Sequence, residues 1–150
     1  MSTKRLTKEW QQLHKNPLKY CEFNLPEGEE NFHHWRAMLR GPESTPYESG
    51  TFVIDMIFPK TYPFKAPEIK FVTRTYHPNV KTDTGEICND LINDNWSPTL
   101  NVRHCITTLY NMLLSPDGDH PLEAEIAQQM LEKPKEFEKT ALKWTREYAK

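Results

Sequence analysis

Between Tyr76 and Pro98 the chain loses every hydrophobic period, and that break separates two different patterns. After an opening helix, apolar residues upstream of it alternate; downstream they recur every three or four positions. Alternation marks half-buried strands, and the longer period marks helices. The order permits one architecture: an α+β domain with its strands together and most of its helices after them. The break itself is rich in Pro, Gly, Asn, Asp, Thr and Ser, yet it holds Tyr76, Ile87, Cys88 and Trp96. A long aperiodic segment in a small domain is functional or disordered, and its apolar residues argue for order. We read it as an ordered loop packed on a scaffold, with a thiol in the middle.

The opening helix carries Leu6, Trp10 and Leu13 on one face and Lys4, Arg5 and Lys8 on the other. Ser2 or Thr3 is expected to cap it, and Asn16-Pro17 ends it. Strands are expected over Tyr20–Leu25, His33–Leu39, Thr51–Phe58 and Glu68–Val72. Trp35, Ala37 and Leu39 share one side of the second; Phe52, Ile54, Met56 and Phe58 share one side of the third. An acidic turn, Pro26 to Glu30, separates the first two, and short gaps elsewhere suggest an antiparallel meander of three or four strands. After the break, Val102, Ile106, Leu109 and Leu113 form a helix face stopped by Ser115-Pro116-Asp117-Gly118. Pro121 opens a helix over Leu122–Leu131. Pro134 opens another, with Phe137, Ala141, Trp144 and Tyr148 on one face.

At 150 residues the chain is expected to be one domain, 1–150. Its 19 basic and 21 acidic residues, net −2, leave no basic excess for a nucleic-acid partner. No apolar run is long enough for a membrane span, and no apolar segment follows the basic N-terminus as a signal peptide requires. The three cysteines, Cys21, Cys88 and Cys105, are odd in number and far apart, which argues against a disulfide framework and for a reducing compartment, cytoplasm or nucleus. No Cys/His spacing suits a metal.

A lone cysteine is ordinarily a small buried hydrophobe. Cys21 and Cys105 fit that role. Cys88 does not, because Gly85, Glu86, Asn89 and Asp90 make its setting polar. As a nucleophile it lacks an adjacent activator: Glu86 and Asp90 disfavour the thiolate, and only folding could bring His77, His104 or His120 to it. A weakly activated thiol suffices when the substrate arrives already activated, as an adenylate or thioester. The protein must then position the reactants and steady an oxyanion. The uncharged amide of Asn79 suits the second task.

His77-Pro78-Asn79 followed by Gly85-Glu86-Ile87-Cys88 resembles the active-site signature of ubiquitin-conjugating enzymes. Gly41-Pro42, Pro46-Tyr47 with Gly50, Phe58-Pro59, Tyr62-Pro63-Phe64, Trp96-Ser97-Pro98 and Asp119-His120-Pro121-Leu122 fall in the same order and spacing, so the resemblance runs from about Lys4 to Tyr148. It implies a UBC-like fold: N-terminal helix, four-stranded antiparallel meander, long active-site loop and three C-terminal helices. It implies that Cys88 accepts ubiquitin as a thioester from an activating enzyme, which consumes the ATP; no cofactor is expected on this chain. Asn79 would stabilise the oxyanion or hold the loop, while His77 and Tyr76 would be structural. Lys4, Arg5, Lys8, Pro63, Phe64, Ser97 and Pro98 would meet the activating enzyme and the ligases, and Asn101, His104, Thr107 and Asn111 would face the bound ubiquitin. A monomer is expected.

Three departures stand out. Asn89 follows the cysteine where an apolar residue is usual, although Asp90 keeps the acidic residue after it. His120 stands where members discharging onto lysine carry an acidic residue, with Asp119 beside it. A minority class with His there passes ubiquitin mainly to a ligase cysteine, of the HECT or RING-between-RING type. The expected partners are HECT, RING-between-RING or RING ligases, and the acceptor a ligase cysteine or a substrate lysine. Glu22 or Phe23 occupies the position where many members bind a second ubiquitin, and a small polar residue is more usual there. The rival readings are a conjugating enzyme for a related modifier, a non-catalytic module of the same fold, which would lack the cysteine, and an unrelated Cys hydrolase, which needs a histidine at the sulfur.

Overall fold

A computed structural model describes residues 2–26 and 32–150. The acidic turn expected at Pro26 to Glu30 lies, from Glu27 onward, outside the described residues. Helix α1 (Ser2–Lys15) buries Leu6 and Leu13, with Trp10 packed against the core beside them. Ser2 and Thr3 lie inside its first turn rather than before it, and the Ser2 hydroxyl meets His33 Nε2 at 2.8 Å. Four strands follow: β1 (Cys21–Asn24), β2 (His34–Arg40), β3 (Thr51–Ile57) and β4 (Glu68–Phe71). They form one antiparallel sheet in sequence order. Ala37 of β2 pairs with Phe23 and Ile54, which aligns the apolar residues of three strands on one face. Trp35, Ala37, Leu39, Phe52, Ile54 and Met56 are all but fully buried there.

The aperiodic stretch contains more structure than its composition suggests. Val80 and Ile87 form an antiparallel bridge, and Lys81 N–H donates to the Glu86 carbonyl at 2.8 Å. The turn closes on Gly85, whose φ of +77° suits a residue without Cβ; a Cβ there would stand 1.9 Å from the Phe71 carbonyl oxygen. Phe71 N–H donates to the Gly85 carbonyl at 2.8 Å, so this small hairpin is fastened to the edge of β4. A five-residue helix, α2 (Asn89–Asn93), follows at once. The sequence alone does not display it, since five residues are too few to show a helical period.

Helix α3 (Val102–Leu114) is capped by Asn101, whose Oδ1 accepts the His104 N–H at 2.9 Å. It buries Val102, Cys105, Ile106, Leu109, Met112 and Leu113 in the same core as the sheet. Helix α4 (Ala124–Glu132) starts two residues later than Pro121 suggested, and α5 (Pro134–Tyr148) starts at its proline. Beyond α5, the Ala149 carbonyl accepts the Thr51 N–H at 2.9 Å, tying the end of the chain to β3. Among the described residues no helix is long and apolar enough to cross a membrane.

Candidate active site

Cys88 is the residue immediately before α2, with extended backbone (φ −63°, ψ 126°), and its carbonyl accepts the Leu91 N–H. All three cysteines are free, and Cys88 alone is not buried. Burial pushes the Cys21 and Cys105 thiols up to about 12, with Glu22 and Glu9 adding to the effect, so neither is a nucleophile near neutral pH. Cys88 borders an open groove of about 850 Å³ whose apolar wall includes Ile69, Ile87 and Leu122 and whose polar wall includes Lys81 and Asp90.

His77, eleven residues earlier, is fully buried. Its Nε2–H donates to the Met112 carbonyl at 2.8 Å, and its Nδ1 accepts the Asn79 N–H at 3.0 Å. These partners fix one neutral tautomer. Burial lowers its pKa to about 4, against the opposing pull of the Met112 carbonyl. Both nitrogens are committed, so His77 cannot serve as the base that a Cys hydrolase needs. Among the described residues no hydrogen bond joins any histidine to Cys88.

Asn79 is buried and holds a neighbouring loop by its main chain. Its Nδ2 donates to the Asp117 carbonyl and its Oδ1 accepts the Asp117 N–H, both at 2.8 Å. One amide hydrogen is used there, leaving a second. The far end of the same loop is held too: the Pro78 carbonyl accepts the Leu122 N–H at 2.8 Å and the Glu123 N–H at 3.1 Å, while Glu123 Oε2 accepts the Thr82 N–H at 2.9 Å. Residues 118–121, including Asp119 and His120, span the interval between these anchors. His120 is 83% exposed, with Nδ1 3.5 Å from Asp117 Oδ2. The Asp119 N–H and then His120 hold the Asp117 carboxyl below the usual carboxylate range. Tyr76 secures the start of the segment: its carbonyl accepts the Tyr47 hydroxyl at 2.7 Å, its own hydroxyl donates to Gln129 Oε1 at 2.6 Å, and its ring packs on Phe137 and Trp144.

The residues expected to meet partners lie together but are not equivalent. Phe64 is 62% exposed on its turn, and Lys4, Lys8 and Pro98 are exposed. Pro63, joined to Tyr62 by a cis peptide, is buried, and its carbonyl accepts the Trp96 indole N–H at 2.7 Å. Ser97 is half-buried, with Oγ 2.7 Å from Thr99 Oγ1. Arg5 points inward rather than out. Its guanidinium donates to Glu9 Oε2, the Pro98 carbonyl and the Leu100 carbonyl. On β1, Glu22 faces solvent, 3.5 Å from Arg40, while Phe23 faces the core.

The family model for ubiquitin-conjugating enzymes matches residues 5–145 of this chain. The protein belongs to that family. It is 44% identical over 147 residues to ubiquitin conjugating enzyme E2 B of Dictyostelium discoideum, covering 98% of this chain and 97% of that one. It is 42% identical over 120 residues to ubiquitin-conjugating enzyme E2 1 of Schizosaccharomyces pombe, covering 80% of this chain and 55% of the longer relative. The E2 domain of a Toxoplasma gondii ubiquitin conjugating enzyme superposes with a TM-score of 0.91 at 36% identity, covering 100% of both chains. The fold and activity expected from the resemblance thus hold: this is a ubiquitin-conjugating enzyme, a thioester-forming transferase that works with ubiquitin, an activating enzyme and ligases.

Several residues of this conjugating enzyme's site gave no signal in the sequence. Glu9 lies among the charges of an amphipathic helix, and nothing marks it as buried; in the fold it is 7% exposed. Asp117 acts through its main chain, which no sequence pattern displays. Glu123 follows Pro121-Leu122 as an ordinary surface acid would. The side-chain oxygen of Asn101 also serves as the cap of α3. That role was legible as an Asn directly before an apolar period.

Proposed function

We propose that Cys88 is the residue that carries ubiquitin. The observation behind this reading is its placement: the one cysteine that is not buried, directly before α2, on the edge of an open groove. Charging is a transthiolation. The Cys88 thiolate attacks the thioester carbonyl on the activating enzyme, a new C–S bond forms, and the enzyme's own sulfur leaves as thiolate. Discharge repeats the exchange with an acceptor nucleophile, and Cys88 departs as thiolate. Asn79 contributes by holding the flanking loop, and its remaining amide hydrogen is suited to the oxyanion. Incubation with activating enzyme, ATP and ubiquitin should give a reductant-labile adduct that Cys88→Ala lacks. An adduct that survives in that variant would place the thioester elsewhere.

The second step favours a cysteine acceptor, and hence ligases of the HECT or RING-between-RING type. A lysine amine of ordinary pKa 10.4 is neutral in about 1 part in 2,500 at pH 7, whereas a thiol of pKa 8.5 is ionised to roughly 3%. Lysine therefore needs more help in losing its proton. On the segment anchored by Asn79 and Pro78 this chain offers an exposed histidine at 120, with Asp119 adjacent in sequence, while Asp90 lines the groove at Cys88. Purified Cys88 thioester should discharge readily to free cysteine and slowly to free lysine, and His120→Asp should speed only the lysine reaction. Fast lysine discharge by the unaltered chain would overturn the preference. We read the enzyme as a cytoplasmic or nuclear monomer without a bound cofactor.

A further inference from the structure

Glu9 is a carboxylate buried where four segments meet. Its Oε2 accepts the Arg5 Nε–H at 2.9 Å and the Tyr62 hydroxyl at 2.5 Å, and its Oε1 accepts the Val102 N–H at 2.8 Å. Arg5 extends the junction to the Pro98 carbonyl at 3.0 Å and the Leu100 carbonyl at 2.8 Å, and its guanidinium lies 5.7 Å from the centre of the Tyr62 ring. Together these bonds reach the separate pieces of the proposed docking surface and the start of α3. Tyr62 is two residues from Phe64, Arg5 lies between Lys4 and Lys8, and Pro98 belongs to the loop after α2. Val102 begins α3, so the carboxylate also satisfies an otherwise unpaired N–H at the positive end of that helix. A buried charge of this kind is tolerated only with full pairing.

We propose that Glu9 is the positioning residue of the partner-docking surface, with Arg5 as its extension. The carboxylate sets the spacing of helix α1, the Phe64 turn and the Pro98 loop, and registers all three against the start of α3. Partners read Lys4, Lys8, Phe64 and Pro98; Glu9 touches none of them and acts through where these groups stand. Arg5 then serves by its reach, not by its charge. This rests on the reading of that surface as the place where the activating enzyme and ligases dock.

The test is charging kinetics with the ubiquitin-activating enzyme as probe, on the full chain. Glu9→Gln preserves shape and removes the charge. It should raise KM for charging about tenfold, the scale of one charge-assisted hydrogen bond, with kcat and ligase-free discharge to free cysteine unchanged. Tyr62→Phe, which deletes one hydroxyl, should act in the same direction and covers the case in which Glu9→Gln does not fold. Arg5→Lys keeps the positive charge but loses the fork, and should also raise KM. Combined with Glu9→Gln it should add nothing. A normal KM in these variants, with Phe64→Ala impaired, overturns the role of Glu9 alone. Discharge to free cysteine falling in step with KM overturns it too, because that marks general loosening. A normal KM in Phe64→Ala removes the docking surface itself and the inference with it.

Discussion

His77 and His120 belong to the two segments that the Asn79–Asp117 clamp joins, and the fold treats them in opposite ways. His77 is fully buried with both ring nitrogens bonded to main chain, and burial has taken it out of the physiological titration range. His120 stands in solvent with one contact at 3.5 Å. The first is part of the frame; the second is open to solvent. These two segments thus combine a fixed base with an exposed tip, and the transfer proposed at Cys88 would draw on the former, because positioning is most of what such a protein adds.

The contrast can be broken most forcefully at His77. His77→Ala leaves the Asn79 N–H and the Met112 carbonyl unpaired beside a cavity, and should cost about 3–5 kcal/mol of stability by urea denaturation. A loss below about 1 kcal/mol would mean that the frame does not depend on this ring.

A smaller effect should appear with pH. The folded pKa of about 4 lies below the unfolded value of 6.5, so the unfolded chain takes the proton first. The stabilisation is complete above pH 6.5 and is lost as pH falls toward 4. Between pH 7.5 and 5 the loss attributable to His77 should be about 2 kcal/mol, seen as a slope that a non-titrating His77→Gln variant lacks. Parallel slopes in the two proteins would show that His77 titrates alike in both states.

Asn79→Ala should cost about 1–2 kcal/mol, since both broken bonds lead to main chain near the surface that water can partly serve. Its larger consequence should be kinetic: charging of Cys88 persists while discharge slows. If charging fails equally, Asn79 supports the thiol rather than the transfer. His120→Ala should shift stability by less than about 0.5 kcal/mol, as exposed positions do. A larger shift would erase the distinction between the two histidines.

What could be read in the sequence follows the same divide between pattern and contact. Strands β2 and β3 were legible because Trp35-Ala37-Leu39 and Phe52-Ile54-Met56 alternate cleanly, and α3 and α5 because each carries an apolar face over several turns. Helix α2 was not, since five residues complete little more than one turn. Cys88 was legible because a polar neighbourhood is wrong for a core thiol. Phe64 was legible because flanking prolines put it on a turn. Arg5 and Glu9 were not: a charge on an amphipathic helix reads as solvated, and only tertiary packing decides whether it turns inward. The hold on residues 117–123 was invisible for another reason. It uses the backbone of Asp117, Leu122 and Glu123, and backbone is common to every sequence.

That last point bears on how this enzyme could be altered. Asn79 grips the peptide group at 117, and Pro78 grips peptide groups at 122 and 123, so the tether is indifferent to which side chains the intervening segment carries. Residues 118–121 behave as a cassette mounted on fixed posts. Their chemistry can be exchanged, acid for histidine or the reverse, while the mounting stays in place, and the acceptor preference proposed for His120 becomes separable from the stability of the fold.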